Sequence, residues 1–412
     1  MRNVHPALFA LATCLPVFVA CGGDAKKLSA DKVGDLSYVL EDRVRPDQER
    51  AAGCGNGAPT AEAPSVLRRR PYLQQVTATS ALVLLRTTAS DAVVDVTRPD
   101  GSLVVSVAAV RELTPDWQDG AWQGVAKIDA LEPSTLYCYE IRGLTQRAGF
   151  KTAPEPGSGE RVNLIAFGDS GDGSSTQYEV KRQMFTVPFD LALHTGDLAY
   201  EHGTRSELET NFFRVYADLL GEFPFFPIAG NHDHETSHAA PFREAFALPE
   251  NGGPDGLEAW YSFDWGDIHF AGVDTERMGA TQAAWLDRDL AESDRLWKIV
   301  FAHKPPYSSG RHGSYSAFRA HFGGVLQKHG VRLVLNGHDH HYERTVDMSG
   351  TTYVVTGGGG KSTSAVGWSN FTAFSEDVLH FVQIEIGADE LLLHAIDGTG
   401  VEFDSARITR TL

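Results

Sequence analysis

The sequence of 412 residues is poor in cysteine, in positive charge and in long apolar runs. It has four cysteines, and the two that follow residue 21, Cys54 and Cys138, cannot form a structural zinc site alone. Lys and Arg total 36 against 54 Asp and Glu, a net charge of -18, so a stable nucleic-acid partner is not expected. No apolar run reaches the roughly 20 residues of a membrane-spanning helix. Hydrophobic residues nevertheless make up 42%, which excludes global disorder, and the length predicts two or three domains.

The first 21 residues have the pattern of an export signal. Arg2 is followed by an apolar run from 7 to 20 and by small residues before Cys21. The stretch 18–22 also resembles the lipobox of bacterial lipoproteins, in which Cys21 would carry a lipid anchor. The alternative is cleavage of an ordinary signal near Ala20. We therefore expect an exported protein, anchored in a bacterial cell envelope or free in the periplasm or outside the cell.

Export also bears on the two remaining cysteines. An oxidising compartment permits a disulfide between Cys54 and Cys138, and two unpaired thiols are the alternative.

Composition divides the rest of the chain into three parts. Residues 22–65 are rich in Ala, Gly and Asp and predict a flexible tether, with one short helix near 29–41. Residues 66–152 contain short strands separated by turns, which predicts a β-sandwich. Within them, 131–139 resembles the tyrosine-corner strand of fibronectin type III-like sandwiches. Residues 161–412 alternate strands with helices, which predicts a second, layered α/β domain.

Several elements of the α/β domain can be placed from apolar periodicity. A helix is predicted over 281–296, and a closing hairpin over 381–386 and 391–395. Buried strands are predicted at 162–167, 189–193, 225–229, 298–301, 331–335 and 352–355.

Polar side chains follow nearly every one of these strands. Ligand sites in open α/β sheets form at the carboxyl ends of strands, so we expect these side chains to meet. They are carboxylates, imidazoles, a carboxamide and a phenol: Asp169, Asp197, Tyr200, Asn231, His303, His338 and His340. This mixture suits Fe, Zn or Mn better than Ca, which prefers oxygen ligands alone. It therefore predicts a pair of metal ions, which would clamp the attacking and leaving oxygens of a displacement at phosphorus.

The order of these motifs resembles the metallophosphoesterase superfamily and, within it, the purple acid phosphatases. The resemblance covers most of residues 66–400. It implies that a ferric ion is bound by Asp169, Tyr200 and His340, that Asp197 bridges, and that Asn231, His303 and His338 bind a divalent ion (Zn, Fe or Mn).

Two positions favour the purple group over generic metallophosphoesterases. Many of the latter have a histidine two residues after the first Asp, where this chain has Gly171. Tyr200, three residues after Asp197, supplies the replacement ligand in the purple group.

The resemblance implies attack on phosphorus by a hydroxide that bridges the metals, with His232 and His312 near the substrate as catalytic residues. The family often has a second histidine after the latter position, where this chain has Gly313, so the general acid stays open. The expected activity is hydrolysis of small phosphate monoesters. A phosphodiesterase on the same scaffold and a surface binding lipoprotein are the alternatives, and the oligomeric state is not predicted.

Two further features are given no catalytic role. The run 357–362 resembles a phosphate-binding loop, but Val355 occupies the position where that motif needs its first glycine. His194 lies within a predicted strand and is interpreted as a residue of the core or one that supports a metal ligand.

Overall fold

The computed structural model describes residues 50, 52–112, 119–253 and 258–410. The export signal, Cys21 and the helix predicted near 29–41 lie outside the described residues. Within the described ranges, no helix combines the length and the apolar character needed to cross a membrane.

The first part of the described chain forms two four-stranded sheets. Their strand orders are β1-β2-β6-β5 and β4-β3-β7-β8. The strands are β1 Leu67–Gln74, β2 Ala81–Thr87, β3 Val93–Thr97, β4 Leu103–Ala108, β5 Val110–Arg111, β6 Trp122–Ile128, β7 Leu136–Ile141 and β8 Ala148–Lys151. The Tyr137 hydroxyl at the start of β7 accepts a hydrogen bond from the Glu132 N–H at 2.9 Å, the contact that a tyrosine corner makes. The fibronectin type III-like assignment itself stays a prediction.

The segment ahead of β1 is attached to the sandwich, which corrects the expectation of a flexible tether for its described part. Cys54 and Cys138 form a disulfide, so the bridge rather than the pair of free thiols is present. The Gly57 N–H donates to the Arg147 carbonyl at 2.8 Å, and a short helix, Ala63–Val66, precedes β1. Composition missed this attachment because its bonds reach strands more than 80 residues away.

The second part is built from two larger sheets. Their orders are β11-β10-β9-β19-β20-β21 and β12-β13-β14-β15-β17-β16-β18. The strands are β9 Val162–Phe167, β10 Leu191–His194, β11 Phe225–Pro227, β12 Tyr261–Trp265, β13 Ile268–Val273, β14 Trp297–Ala302, β15 Leu333–Asn336, β16 Tyr342–Thr345, β17 Thr352–Thr356, β18 Thr372–Glu376, β19 His380–Ile386, β20 Glu390–Asp397 and β21 Glu402–Thr409. Parallel neighbours run β9-β10-β11 in one sheet and β13-β14-β15-β17 in the other. The predicted fold class, a β-sandwich followed by an α/β domain, is confirmed.

The two larger sheets pack face to face. The rings of Phe226 and Phe263, one from each sheet, stack with centroids 3.6 Å apart, and the Tyr261 hydroxyl donates to the Pro227 carbonyl at 2.7 Å. Burying these aromatic surfaces away from water holds the layers together.

Short helices connect the strands. The helical segments are Ser175–Met184, Arg205–Glu207, Leu208–Phe213, Ala217–Glu222, Asn231–Glu235, Ala240–Ala245, Ala280–Glu292, Ser316–Phe318, Arg319–Gly323 and Gly324–Lys328, of which 208–213 and 319–323 are π-helical. The helix predicted over 281–296 therefore ends at Glu292, and the prediction for its last four residues is wrong. Ser293 has an extended backbone, because the chain must turn before the buried Trp297 begins β14.

Side chains of the sandwich bond directly to the α/β part. The Tyr139 hydroxyl donates to the Gly221 carbonyl at 2.6 Å, and the Gln74 amide donates to the Phe225 carbonyl at 3.0 Å. Phe225 begins the strand that leads to Asn231, so the sandwich supports an element that carries a candidate ligand.

Candidate metal centre

The candidate ligands lie where the sequence places them, at the carboxyl ends of parallel strands. Asp169 follows β9, Asp197 follows β10, and His338 follows β15. All three have a left-handed backbone, with φ of 56°, 56° and 72°. Residues other than glycine seldom adopt this conformation, and it is typical of functional sites, where it turns a side chain out of the strand direction.

The first donor group surrounds the hydroxyl of Tyr200. That oxygen lies 3.1 Å from Asp169 Oδ1, 3.2 Å from Asp197 Oδ2 and 3.1 Å from His340 Nε2. Tyr200 is only 3% exposed, so its hydroxyl faces the other donors of this group rather than solvent. The structure thus brings together the three residues expected to bind the ferric ion, with Asp197 beside them.

The second donor group surrounds His303 Nε2. This nitrogen lies 3.0 Å from Asn231 Oδ1 and 3.4 Å from Asp197 Oδ2. The ring of His338 packs against the His303 ring with centroids 5.0 Å apart. Asp197 therefore contacts both groups, which is the position that a bridging carboxylate requires.

Two histidines are held in the orientation typical of metal ligands. His303 Nδ1 lies 2.9 Å from the Thr195 carbonyl, and His340 Nδ1 lies 2.8 Å from the Ser362 carbonyl. A carbonyl can only accept, so each Nδ1 carries a proton and each Nε2 faces the cluster, where a metal ion would take the place of any proton on it.

Backbone amides orient the two carboxylates. The His338 N–H donates to Asp169 Oδ2 at 2.8 Å, and the His232 N–H donates to Asp197 Oδ1 at 2.9 Å. Each carboxylate therefore keeps its other oxygen turned toward Tyr200.

The two residues expected to act on the substrate border the cluster on different sides. The His232 ring lies 4.7 Å from the Tyr200 ring, and its Nδ1 is 2.6 Å from the Glu201 carbonyl, so Nε2 is the free nitrogen. The His312 ring lies 4.4 Å from the His338 ring and is exposed. Contacts therefore connect all nine sequence-predicted residues into one site.

Burial and neighbouring charges strongly shift the pKa values of the residues in the cluster. Burial by itself would lower the pKa of His303, but the carboxylate of Asp197 raises it to about 10. Burial, with His303 and His312 nearby, lowers the pKa of His338 to about 2. Burial and the charges of Asp169 and Asp197 raise the pKa of Tyr200 well above its ordinary value. Two carboxylates and a phenol this close and this buried call for positive charge between them.

The donor set fits a pair of metal ions. Ligand atoms of Asp169, Asp197 and His303 lie within 4.8 Å of one another, and all three residues are buried. Carboxylates, imidazoles, a carboxamide and a phenol are ligands of Fe, Zn and Mn, and they lie in two groups that share Asp197.

Gly171 leaves no space for the histidine found at its position in many generic metallophosphoesterases. A Cβ there would lie 1.6 Å from the Leu198 carbonyl oxygen. The Tyr200 N–H donates to the Gly171 carbonyl at 2.7 Å, so the same close approach brings Tyr200 to the site.

Sequence reasoning missed Asp233, which joins two ligand-bearing loops. Its carboxylate accepts from the Leu198 N–H at 3.1 Å and from the Gly230 N–H at 2.9 Å. These residues neighbour Asp197 and Asn231. Burial and the charge of Asp197 raise the pKa of Asp233 to about 7. Its place directly after the Asn231-His232 motif was the only signal that could have indicated this role.

Two other contributions were also missed. Buried Asp339 accepts from the His312 N–H at 2.8 Å and from the Ser308 hydroxyl at 2.5 Å, which fixes the loop that carries His312. The glycine run 357–360, which follows β17, packs on the Asp169 loop: the Gly359 N–H donates to the Gly168 carbonyl at 2.9 Å. No side chain fits between these backbones.

His194 lies behind the site, as interpreted from the sequence. It is fully buried, its Nε2 lies 2.9 Å from the Ser170 hydroxyl, and burial lowers its pKa to about 3. A neutral His194 therefore supports the residue next to Asp169.

Comparisons with known proteins agree with this geometry. Residues 162–342 match the calcineurin-like phosphoesterase family. "Purple acid phosphatase 23" of Arabidopsis thaliana is 29% identical over 57% of this chain and 61% of its own length. "Probable inactive purple acid phosphatase 1" of the same plant is 25% identical over 74% of this chain and 59% of its own length. The chain thus spans about three fifths of these relatives.

A third relative, described as "Nucleotide pyrophosphatase/phosphodiesterase" of Hordeum vulgare, is 26% identical over 56% of this chain and 82% of its own length. Among solved structures, purple acid phosphatase PPD1 from yellow lupin (Lupinus luteus) seeds superimposes with a TM-score of 0.73 at 24% identity. That match covers 86% of this chain and 75% of the lupin chain, and it shows a shared fold. Residues 162–342 therefore form a calcineurin-like phosphoesterase domain, and the chain as a whole is similar to the purple acid phosphatases.

Proposed function

We propose that the protein is an exported phosphatase that hydrolyses small phosphate monoesters at a dinuclear centre of Fe(III) and a divalent ion (Zn, Fe or Mn). The observation that carries this proposal is the position of Asp197. Its Oδ2 lies 3.2 Å from the Tyr200 hydroxyl and 3.4 Å from His303 Nε2, between the two donor groups.

The metal ions would be held by Asp169, Tyr200 and His340 on one side and by Asn231, His303 and His338 on the other, with Asp197 shared. Bound there, such ions supply Lewis-acid stabilisation of phosphoryl oxygens and lower the pKa of water.

The chain's own residues then position the substrate and handle protons. His232 keeps its Nδ1 proton on the Glu201 carbonyl, so its Nε2 is the atom that contacts a phosphoryl oxygen or gives a proton to the leaving alkoxide. His312, fixed through its backbone by Asp339, occupies the opposite rim. We assign it the second substrate contact. Gly313 follows His312, where the family often has a second histidine, so we assign the role of general acid to His232.

A phosphodiesterase activity is the second candidate, and the barley relative described as a nucleotide pyrophosphatase/phosphodiesterase favours it. The same ligands would serve both reactions. The loops around 201–210 and 305–320 would decide between them through the width of the pocket.

The test compares p-nitrophenyl phosphate with bis-p-nitrophenyl phosphate as substrates of signal-free protein loaded with iron and zinc. Asp197→Asn measures contaminating activity, and Asp100→Asn, on an exposed turn of the sandwich, is the matched control. We expect a monoester preference that disappears only in Asp197→Asn. A diester preference would establish the second candidate, and inactivity of the wild type would favour a binding lipoprotein.

We also propose a lipid anchor at Cys21, which would hold the enzyme in a bacterial cell envelope. Because of the net charge of -18, we do not propose nucleic acid as a partner. Mass spectrometry of the amino-terminal peptide tests this, because acylation should be present in the wild type and absent from Cys21→Ser. A free amino terminus near residue 21 would instead indicate ordinary cleavage and a periplasmic or extracellular enzyme.

A further inference from the structure

A cleft of about 510 Å³ opens at the amino-terminal ends of strands in the seven-stranded sheet. The metal centre lies at the carboxyl ends of the same strands. Its lining comes from the residues just before the adjacent parallel strands β14, β15 and β17, or at their starts, and from Arg410 after β21. The candidate metal ligands follow β14 and β15 at their carboxyl ends. A strand of six residues is roughly 20 Å long, so the cleft is a separate site.

The lining of this cleft is basic, although the whole chain carries a net charge of -18. Five of its side chains are cationic or can become so: Arg295, Lys298, His329, Arg332 and Arg410.

Two of the five already contact a carboxylate closely. Arg295 Nε lies 3.0 Å from Asp264 Oδ2, and His329 Nε2 lies 2.6 Å from Asp287 Oδ1. These ion pairs leave three cations to account for.

Of the remaining three, Arg332 and Arg410 form only long ion pairs, with Asp347 and Asp389, and Lys298 has no carboxylate partner among the described residues. The nearest carboxylate oxygens are 3.8 Å from Arg332 and 3.7 Å from Arg410, beyond hydrogen-bonding distance, and belong to exposed side chains. Lys298 Nζ donates to the Leu290 carbonyl at 2.7 Å, and burial lowers its pKa. Positive charge is therefore concentrated here, and the long, exposed ion pairs of the two arginines leave them available to an anion.

Both arginines also carry unused donors. The Nε atoms of Arg332 and Arg410 are buried and have no hydrogen-bond partner within the described part of the chain. These two atoms are closed off from the cleft, so an anion there would meet the terminal NH₂ groups of the two guanidinium groups instead. Guanidinium groups match the oxygens of phosphate in pairs, which makes phosphate the ligand that these donors fit.

We propose that this cleft binds a phosphate-bearing small anion. Its volume falls within the roughly 300–1,000 Å³ typical of small-molecule sites, so it accommodates an organic phosphate as well as the free ion. The proposal does not rest on the catalytic function proposed above, because none of the residues involved contacts the metal centre.

The experiment measures binding of inorganic phosphate and of phenylphosphonate to the metal-loaded protein by equilibrium dialysis. The test variant is Arg332→Gln/Arg410→Gln. The control is Arg407→Gln, which breaks an ion pair with Glu390 outside the cleft. We expect the double variant to lose one equivalent of bound anion, or to bind it at least about tenfold more weakly, while Arg407→Gln binds as the wild type does. Tighter binding of phenylphosphonate would identify an organic phosphate as the ligand, and tighter binding of inorganic phosphate the free ion.

A second measurement on the wild type avoids any folding defect of the double variant. Phosphate should slow amide hydrogen exchange in residues 329–332 and 349–351. The proposal is overturned if wild type and double variant bind equal numbers of anions, or if phosphate changes exchange only around the metal centre. Hydrogen exchange at the metal centre is measured in different peptides from those of the cleft. Loss of anion binding in the cleft can therefore be distinguished from a failure of the catalytic proposal.

Discussion

Replacing Asp233 by Asn tests whether the two ligand-bearing loops depend on a shared acceptor. Asp233 is 1% exposed, and its two oxygens accept from the Leu198 and Gly230 N–H groups. Asparagine has a single acceptor oxygen, and its NH₂ group would face a backbone donor. Leaving one buried N–H without an acceptor costs about 1–3 kcal/mol. The shape and volume of the side chain hardly change. Removing a carboxyl group whose charge is disfavoured by burial and by Asp197 offsets part of this cost in the metal-free protein.

The same change should weaken metal binding, because the two loops hold Asp197 and Asn231. Loss of an interaction that orients metal ligands typically lowers affinity by roughly 10–100-fold. Guanidinium unfolding of the metal-free protein measures the first effect, and metal retained after dialysis measures the second. Asp100→Asn is the control, since it alters an exposed turn of the sandwich. Unchanged stability together with unchanged metal affinity would refute the role given to Asp233.

Three further predictions follow from other parts of the structure. In iron-loaded Tyr200→Phe, the visible phenolate-to-iron band should vanish; a wild type without any band contradicts iron binding by Tyr200. Removing the disulfide in Cys54→Ser/Cys138→Ser, which links residues 84 apart, should lower the free energy of unfolding by about 2–5 kcal/mol, and an unchanged denaturant midpoint would contradict this. Burial alone would lower the pKa of His269, but hydrogen bonds to Asp264 and to Asp289 raise it to about 9. The resulting stability is complete below pH ~6.5 and is lost as the pH rises through 9, so the free energy of unfolding should fall by up to roughly 3 kcal/mol, with no such slope in His269→Gln.

The candidate ligands could be predicted from the sequence because they lie within a few residues of the carboxyl ends of strands. Apolar runs identify β9, β14 and β15, and in parallel strands the first polar residues beyond the carboxyl ends must meet at one edge of the sheet. His303 and His338 are therefore brought together by local pattern and elementary topology. Asp169 follows β9 in the other large sheet, so its approach to them also depends on how the two sheets pack.

The residues that orient the ligands could not be found in this way. Asp339 lies 27 residues from His312 and 31 from Ser308, and Asp233 lies 35 residues from Leu198. Such contacts depend on how separate loops approach each other, which no local periodicity encodes. The end of the helix at Glu292 is a similar case, because the burial of Trp297 in the next strand decides where the helix must stop.

The expected exchange of a metal ligand between positions 171 and 200 has a structural explanation. The chain at 198–200 passes so close to Gly171 that a Cβ would overlap the Leu198 carbonyl oxygen, at 1.6 Å, while the Gly171 carbonyl accepts the Tyr200 N–H. A histidine at 171 would push this segment away and carry the Tyr200 hydroxyl out of reach of Asp169 and His340. The two ligand arrangements are thus mutually exclusive in this backbone. A single Gly171→His change would therefore remove one ligand without gaining a functional replacement.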